Sequence, residues 1–135
     1  MMREIKFRGK RPHNNKWITG CLVEKGIHAH ILGNGHWEVE CATEVLRDTL
    51  GQFTGLIDNS EEKEEIYGGD ILRAMNGDNF IVEYLTDWGA YKIYRPDGSN
   101  TRCLNDLRVD IIELFELRIV GNITDNPELL DVKNE

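Results

Sequence analysis

The chain is poor in serine, cysteine and proline, and it has no uninterrupted apolar stretch approaching the length of a bilayer span. Each shortage removes a class of function. Ser60 sits in an acidic stretch and Ser99 in a turn sequence, neither inside a G-x-S-x-G frame, so the usual serine-hydrolase elbow is excluded. Cys21, Cys41 and Cys103 are odd in number, widely spaced and without a C-x-x-C pair. They predict neither a disulfide scaffold nor a zinc ribbon, and they read as small buried thiols rather than reactive ones. A helix needs about 20 consecutive apolar residues to cross a bilayer. Met1–Arg8 carries charge where a signal peptide would be apolar, so an intracellular protein with no membrane partner is expected.

Against these absences stand 13 glycines, 40% hydrophobic and 30% charged residues, which is globular rather than disordered composition. A chain of 135 residues buries about 68% of its unfolded surface. It is therefore read as a single domain over 1–135, with lobes at 1–50 and 66–125.

Positive charge is also scarce, and unevenly placed. The net charge is −8, yet residues 1–17 hold Arg3, Lys6, Arg8, Lys10, Arg11 and Lys16 against Glu4 alone, a local +5 that leaves −13 on residues 18–135. An acidic chain repels nucleic acid as a whole. The basic segment is expected to meet acidic protein surface, in its own subunit or a neighbour. A phosphate-binding strip is the alternative, not favoured because base-stacking aromatics are not interleaved with the cations.

Apolar residues recurring at every second position predict short strands. Ile5 and Phe7 mark one over 3–9. Pro12-His13-Asn14-Asn15 is turn chemistry, and Trp17–Val23 returns as the second arm of a hairpin. A second hairpin is expected from Ile27–Leu32 and His36–Cys41 around Gly33-Asn34-Gly35. Its three-residue register opposes Ile31 to Trp37, Ala29 to Val39 and Ile27 to Cys41, and sets His30 beside Glu38 and His28 beside Glu40. The four polar residues would then share one face with metal-ligand chemistry. A ladder of His–Glu pairs accounts for the same letters, and without an H-x-x-x-H or H-E-x-x-H spacing no metal or other cofactor is expected.

Residues 42–50 show no clean period. Gly51 to Asp58 reads as chain reversals between short apolar runs, and Asp58–Glu65 as an exposed acidic loop. From Asp70 a meander is predicted, with strands at 71–75, 80–85, 91–95 and 101–104, followed by 114–120. Asn126-Pro127-Glu128 predicts one or two helical turns. Regular short strands of this kind make the fold class mainly β, a small barrel or sandwich of antiparallel strands. One of Tyr91 and Tyr94 must face away from the core. Trp88, in a turn, is the preferred exposed anchor for a partner.

Three blocks together resemble the YopX family of bacteriophage and prophage proteins: Arg3-Glu4-Ile5-Lys6-Phe7-Arg8, Gly51–Asp58 with Ile66-Tyr67 and Gly69-Asp70-Ile71, and Ile119–Ile123 with Asn126–Leu130. The resemblance implies a mainly β fold, a phage or prophage origin, the bacterial cytoplasm, and no catalytic residues to carry over. The chain departs from the pattern in its longer, more acidic Asp58–Ile66 connection and in Gly68, which stands where an acid is common. The combined expectation is a non-enzymatic accessory or binding protein that forms a homo-oligomer or binds a protein partner, with Lys6, Arg8, Lys10, Arg11, Lys16 and Trp88 as contact residues. The alternatives are a nucleic-acid-associated protein using the basic hairpin and, behind it, a metal-dependent enzyme using His28, His30, Glu38 and Glu40.

Overall fold

The apolar residues that alternate in the first third of the chain, Phe7, Ile18, Leu22, Ala29 and Ile31, pack into one small core with Val45 and Leu50. A computed structural model describes residues 4–33, 38–96 and 105–130. Two compact units divide the chain, residues 1–55 and 56–135. The mainly β expectation holds, with strands distributed over two antiparallel sheets rather than one closed barrel.

In the first unit β1 (Phe7–Lys10) and β2 (Trp17–Lys25) form the expected hairpin, Lys10 opposite Trp17 and Phe7 opposite Gly20. β3 (His28–Gly33) returns along β2, Lys25 opposite His28 and Cys21 opposite Leu32. Between them Gly26 takes φ 62°, the left-handed conformation a tight turn requires. β4 (Thr43–Ile57) pairs with β3 at Ala29↔Val45, His30↔Glu44 and Ile31↔Thr43, and with β1 at Phe7↔Gln52 and Arg8↔Gly51. The first strand therefore has a hydrogen-bonded neighbour on each side.

This pairing corrects the second hairpin. Glu38–Cys41 supplies no strand opposite β3, because Val39–Cys41 is a 3-10 turn and β4 begins only at Thr43. Asn34–Trp37 lies outside the described residues, so the Ile31–Trp37 pair is not among those seen. The alternation sorted the faces at Ala29 and Ile31, which are buried, and at His28, which is exposed, but not at Ile27, which is exposed in the turn between β2 and β3. Gly51 and Gly55 are corrected as well. They lie inside the fifteen residues of β4 rather than at chain reversals.

The second unit is built on β6 (Asp70–Arg73), β7 (Asn79–Leu85), β8 (Ala90–Tyr94), β9 (Asn105–Asp106) and β10 (Arg118–Asn122), in the order β10-β6-β7-β8-β9. β5 (Glu65–Tyr67) precedes them. β6, β7 and β8 match the predicted strands to within two residues, whereas the strand expected over 114–120 begins only at Arg118. The strand predicted at 101–104 lies outside the described residues. α1 (Val109–Leu114) was not anticipated. It places Ile112 against Ile66, Leu72, Val82, Ile93 and Leu117, all nearly inaccessible to solvent. The predicted helical turn at the end is a 3-10 turn, Pro127–Leu130.

Two of the cysteines also correct the sequence reading. Cys21 and Cys41 are exposed free thiols, because Cys21 falls on the outward parity of β2 and Cys41 in the turn before β4. Cys103 lies outside the described residues.

Candidate functional site

The basic residues of the N-terminal hairpin divide into two groups once β1 and β2 are paired. Lys6, Arg8 and Lys10 share one face of the strand and lie over aromatic rings. Arg8 Cζ stands 4.8 Å and Lys10 Nζ 5.8 Å from the centroid of Trp17, and Lys6 Nζ stands 5.0 Å from that of Phe53. Lys6 is also 3.4 Å from Glu4 Oε1. All three cations are half-buried. Such cation–aromatic contacts stabilise by about 0.5–2 kcal/mol each, so much of the positive charge in this segment helps to hold the hairpin.

Arg11 and Lys16 differ. They flank the turn, both exposed, and neither makes an ion pair among the described residues. Their backbone is fixed. The Arg11 N–H donates to Lys16 O at 2.9 Å, the Asn15 N–H to Arg11 O at 3.1 Å, and the Lys16 N–H to Asn14 Oδ1 at 3.0 Å, while Asn15 takes φ 58°. At the base, the Lys10 N–H donates to Thr49 Oγ1 at 2.9 Å, and that hydroxyl donates to Leu46 O at 2.6 Å. The hairpin thus ends in two outward cations on an ordered turn. Trp17 could have been found from sequence: a hairpin closing through residues 12–15 sets residue 17 against residue 10. Phe53 could not, because the strand that carries it was read as turns.

The imidazole face is rearranged. His28 Nδ1 lies 3.1 Å from Glu44 Oε2, and the His28 and His30 rings meet edge to face at 6.5 Å. Glu38 and Glu40 are exposed and stand away from that ladder. Glu38 instead accepts from Cys41, the thiol being 3.8 Å from its Oε2 and the Cys41 N–H 2.8 Å from its carbonyl. No group of three or more His, Cys, Asp or Glu among the described residues is placed to hold a metal ion. His28 and Glu44 are both about half exposed, so His28→Ala is expected to cost less than about 1 kcal/mol in chemical denaturation.

In the second unit Trp88 is exposed, as expected, with Lys92 Nζ 4.7 Å from its ring centroid. Lys92 also hydrogen-bonds Asp106, which holds that carboxyl below its usual range. Tyr91 packs on the core and meets Tyr84 edge to face at 5.2 Å, while the Tyr94 hydroxyl donates to Glu83 Oε1 at 2.5 Å on the opposite side of the sheet. Trp88→Ala should lower stability by only about 0.5–1 kcal/mol, the value of one exposed cation–aromatic contact. A thermal melt checks it.

The acids of the central signature are structural. Asp58 is buried, and its Oδ1 accepts from the Ser60 hydroxyl at 2.7 Å, the Ser60 N–H at 3.2 Å and the Glu64 N–H at 2.9 Å, while Oδ2 accepts from the Ile119 N–H at 2.9 Å. Burial pushes its pKa up. The hydrogen bonds from Ile119, Ser60 and Glu64 outweigh that and hold it below the ordinary carboxylate value. Asp70 Oδ2 accepts from the Tyr67 N–H at 2.7 Å and closes the turn between β5 and β6. The closing block is a second such knot, in which Asn122 Oδ1 accepts from the Thr124 and Asp125 N–H groups at 3.0 and 2.8 Å.

No helix among the described residues is long and apolar enough to cross a membrane. No curated protein matches the chain. Residues 6–131, which include the hairpin, the Asp58 and Asn122 knots and the terminal turn, match the family model described as YopX protein, and the chain belongs to that family.

Proposed function

We propose that this is a phage- or prophage-encoded accessory protein of the host cytoplasm that works by binding an acidic protein surface through the tip of its β1–β2 hairpin. One observation carries the reading. In a chain of net charge −8, Arg11 and Lys16 stand exposed on an ordered turn, with no ion pair among the described residues. A turn whose backbone is already ordered loses little backbone freedom on docking, and opposite charge steers the encounter.

A non-enzymatic role is part of the proposal. The Ser60 hydroxyl is committed to Asp58, and the exposed Cys41 thiol points to the carboxylate of Glu38 rather than to an imidazole. Nucleic acid is the weaker partner for the same face. Single strands are gripped by stacking bases on open aromatic faces, whereas Trp17 has Arg8 and Lys10 over it and Phe53 is buried.

The test is retention on immobilised poly-glutamate beside gel shifts with single- and double-stranded DNA and RNA at low salt. The wild-type chain should be retained in a salt-sensitive manner, and Arg11→Glu with Lys16→Glu should weaken retention at least about tenfold. A tip-dependent shift of nucleic acid without retention on poly-glutamate would replace this reading with the nucleic-acid one.

A further inference from the structure

We propose that the acidic surface answering the tip is the Glu61–Glu64 loop of a second copy of this chain, with Arg11 and Lys16 of one protomer against Glu61, Glu62 and Glu64 of the next. The inference rests on the reading above and adds the identity of the partner surface. Its ground is charge complementarity within one sequence. Residues 1–17 carry +5 and residues 18–135 carry −13. Glu61, Glu62 and Glu64 are exposed and, like Arg11 and Lys16, make no ion pair among the described residues.

Both surfaces are shaped before they meet. The tip is closed by the bonds between Arg11 and Lys16, and the loop is gathered around Asp58, which accepts from Ser60 at its start and from Glu64 at its end. Little chain entropy then remains to be lost on association. Made reciprocally, tip on loop and loop on tip, the contact closes a two-fold pair; made in one direction only, it repeats into a ring or an open chain.

Sedimentation velocity on the full chain tests this with two charge-reversed variants, Arg11→Glu/Lys16→Glu and Glu61→Lys/Glu62→Lys, each shown by circular dichroism to be folded. The wild-type protein is expected to associate at low salt and dissociate at high salt. Each variant alone should associate at least about tenfold more weakly, and an equimolar mixture of the two should associate again, since the reversed tip then meets the reversed loop and the native tip meets the native loop, both pairs opposite in sign. A monomeric wild-type protein at low salt, a loop variant that associates as the wild type does, or a mixture that stays monomeric would each overturn the proposal. Retention on poly-glutamate separates the two readings. If the wild-type chain is monomeric yet held there through the tip, this inference fails and the proposed function stands; if retention is unchanged by the tip variant, both fail.

Discussion

Asp58→Ala is expected to destabilise the second unit by about 3 kcal/mol or more, because a buried acceptor is removed and its donors lose their partner. Four hydrogen bonds converge on that carboxylate, from the Ser60 hydroxyl and from the backbone of Ser60, Glu64 and Ile119. One of its oxygens organises the 58–64 loop and the other reaches the edge strand β10. Asp58→Asn keeps the shape but has only one oxygen to accept with, so it should fall between wild type and alanine. The carboxyl also gives stability a pH dependence of definite sign. Its folded pKa lies below the unfolded value, set against burial by the bonds from Ile119, Ser60 and Glu64. The stabilisation is therefore complete above the unfolded value of about 3.9 and is lost as pH falls through the depressed folded one. Urea titrations of wild type and Asp58→Asn across the acid range should converge as pH drops. Parallel curves would mean that the carboxylate charge contributes nothing.

Gly20→Ala should be at least as damaging, and in the first unit. A Cβ at this position would lie 2.0 Å from the carbonyl oxygen and 2.9 Å from the carbonyl carbon of Leu32, with φ at 154°. The obstacle is the backbone of β3, which cannot move aside without breaking the β2–β3 ladder. Overpacking of this kind costs about 1–3 kcal/mol when side chains yield, and more than about 3 kcal/mol is expected where they do not. Gly9→Ala is the internal control. Its Cβ would press on Cβ and Cγ2 of the buried, stiff Val45 at 2.8 Å, a costly contact but a less severe one than the 2.0 Å approach to the Leu32 carbonyl oxygen. Chemical denaturation should rank Gly20→Ala well below Gly9→Ala, and equal losses would show that the β2–β3 spacing is looser than described.

Sequence and structure part where local rules compete. The first hairpin and the meander were legible because a clear turn sequence separates alternating strands, as at Pro12–Asn15 and Asn76–Asp78. The second hairpin was misplaced because Gly33-Asn34-Gly35 is a stronger turn signal than Lys25-Gly26-Ile27, and the long β2 read as ending at Val23 instead of running on to Lys25. Pairing imidazoles with carboxylates was the right chemistry on the wrong acid. Glu44, not Glu40, meets His28, since the partner strand starts two residues after the 3-10 turn.

β4 was hidden by Gly51 and Gly55, which usually interrupt strands. With it went Phe53, and so half of the aromatic support beneath the N-terminal cations. α1 was invisible for another reason: six residues are under two turns, too few to display a 3.6-residue period. From its neighbours in the sequence Asp58 reads as the polar start of a loop. Local composition could not reveal that one of its oxygens accepts from Ile119, sixty-one residues away.

The placement of β1 between β2 and β4 bears on how the chain is made. Phe7 opposes Gln52, so a ribosome must release more than fifty residues before the opening strand can acquire its second neighbour. Until then the nascent hairpin has one rim of unmatched amide and carbonyl groups, and closing so distant a pair comes late for entropic reasons. The same arrangement gives the finished unit no vacant rim at its beginning onto which a foreign strand could zip.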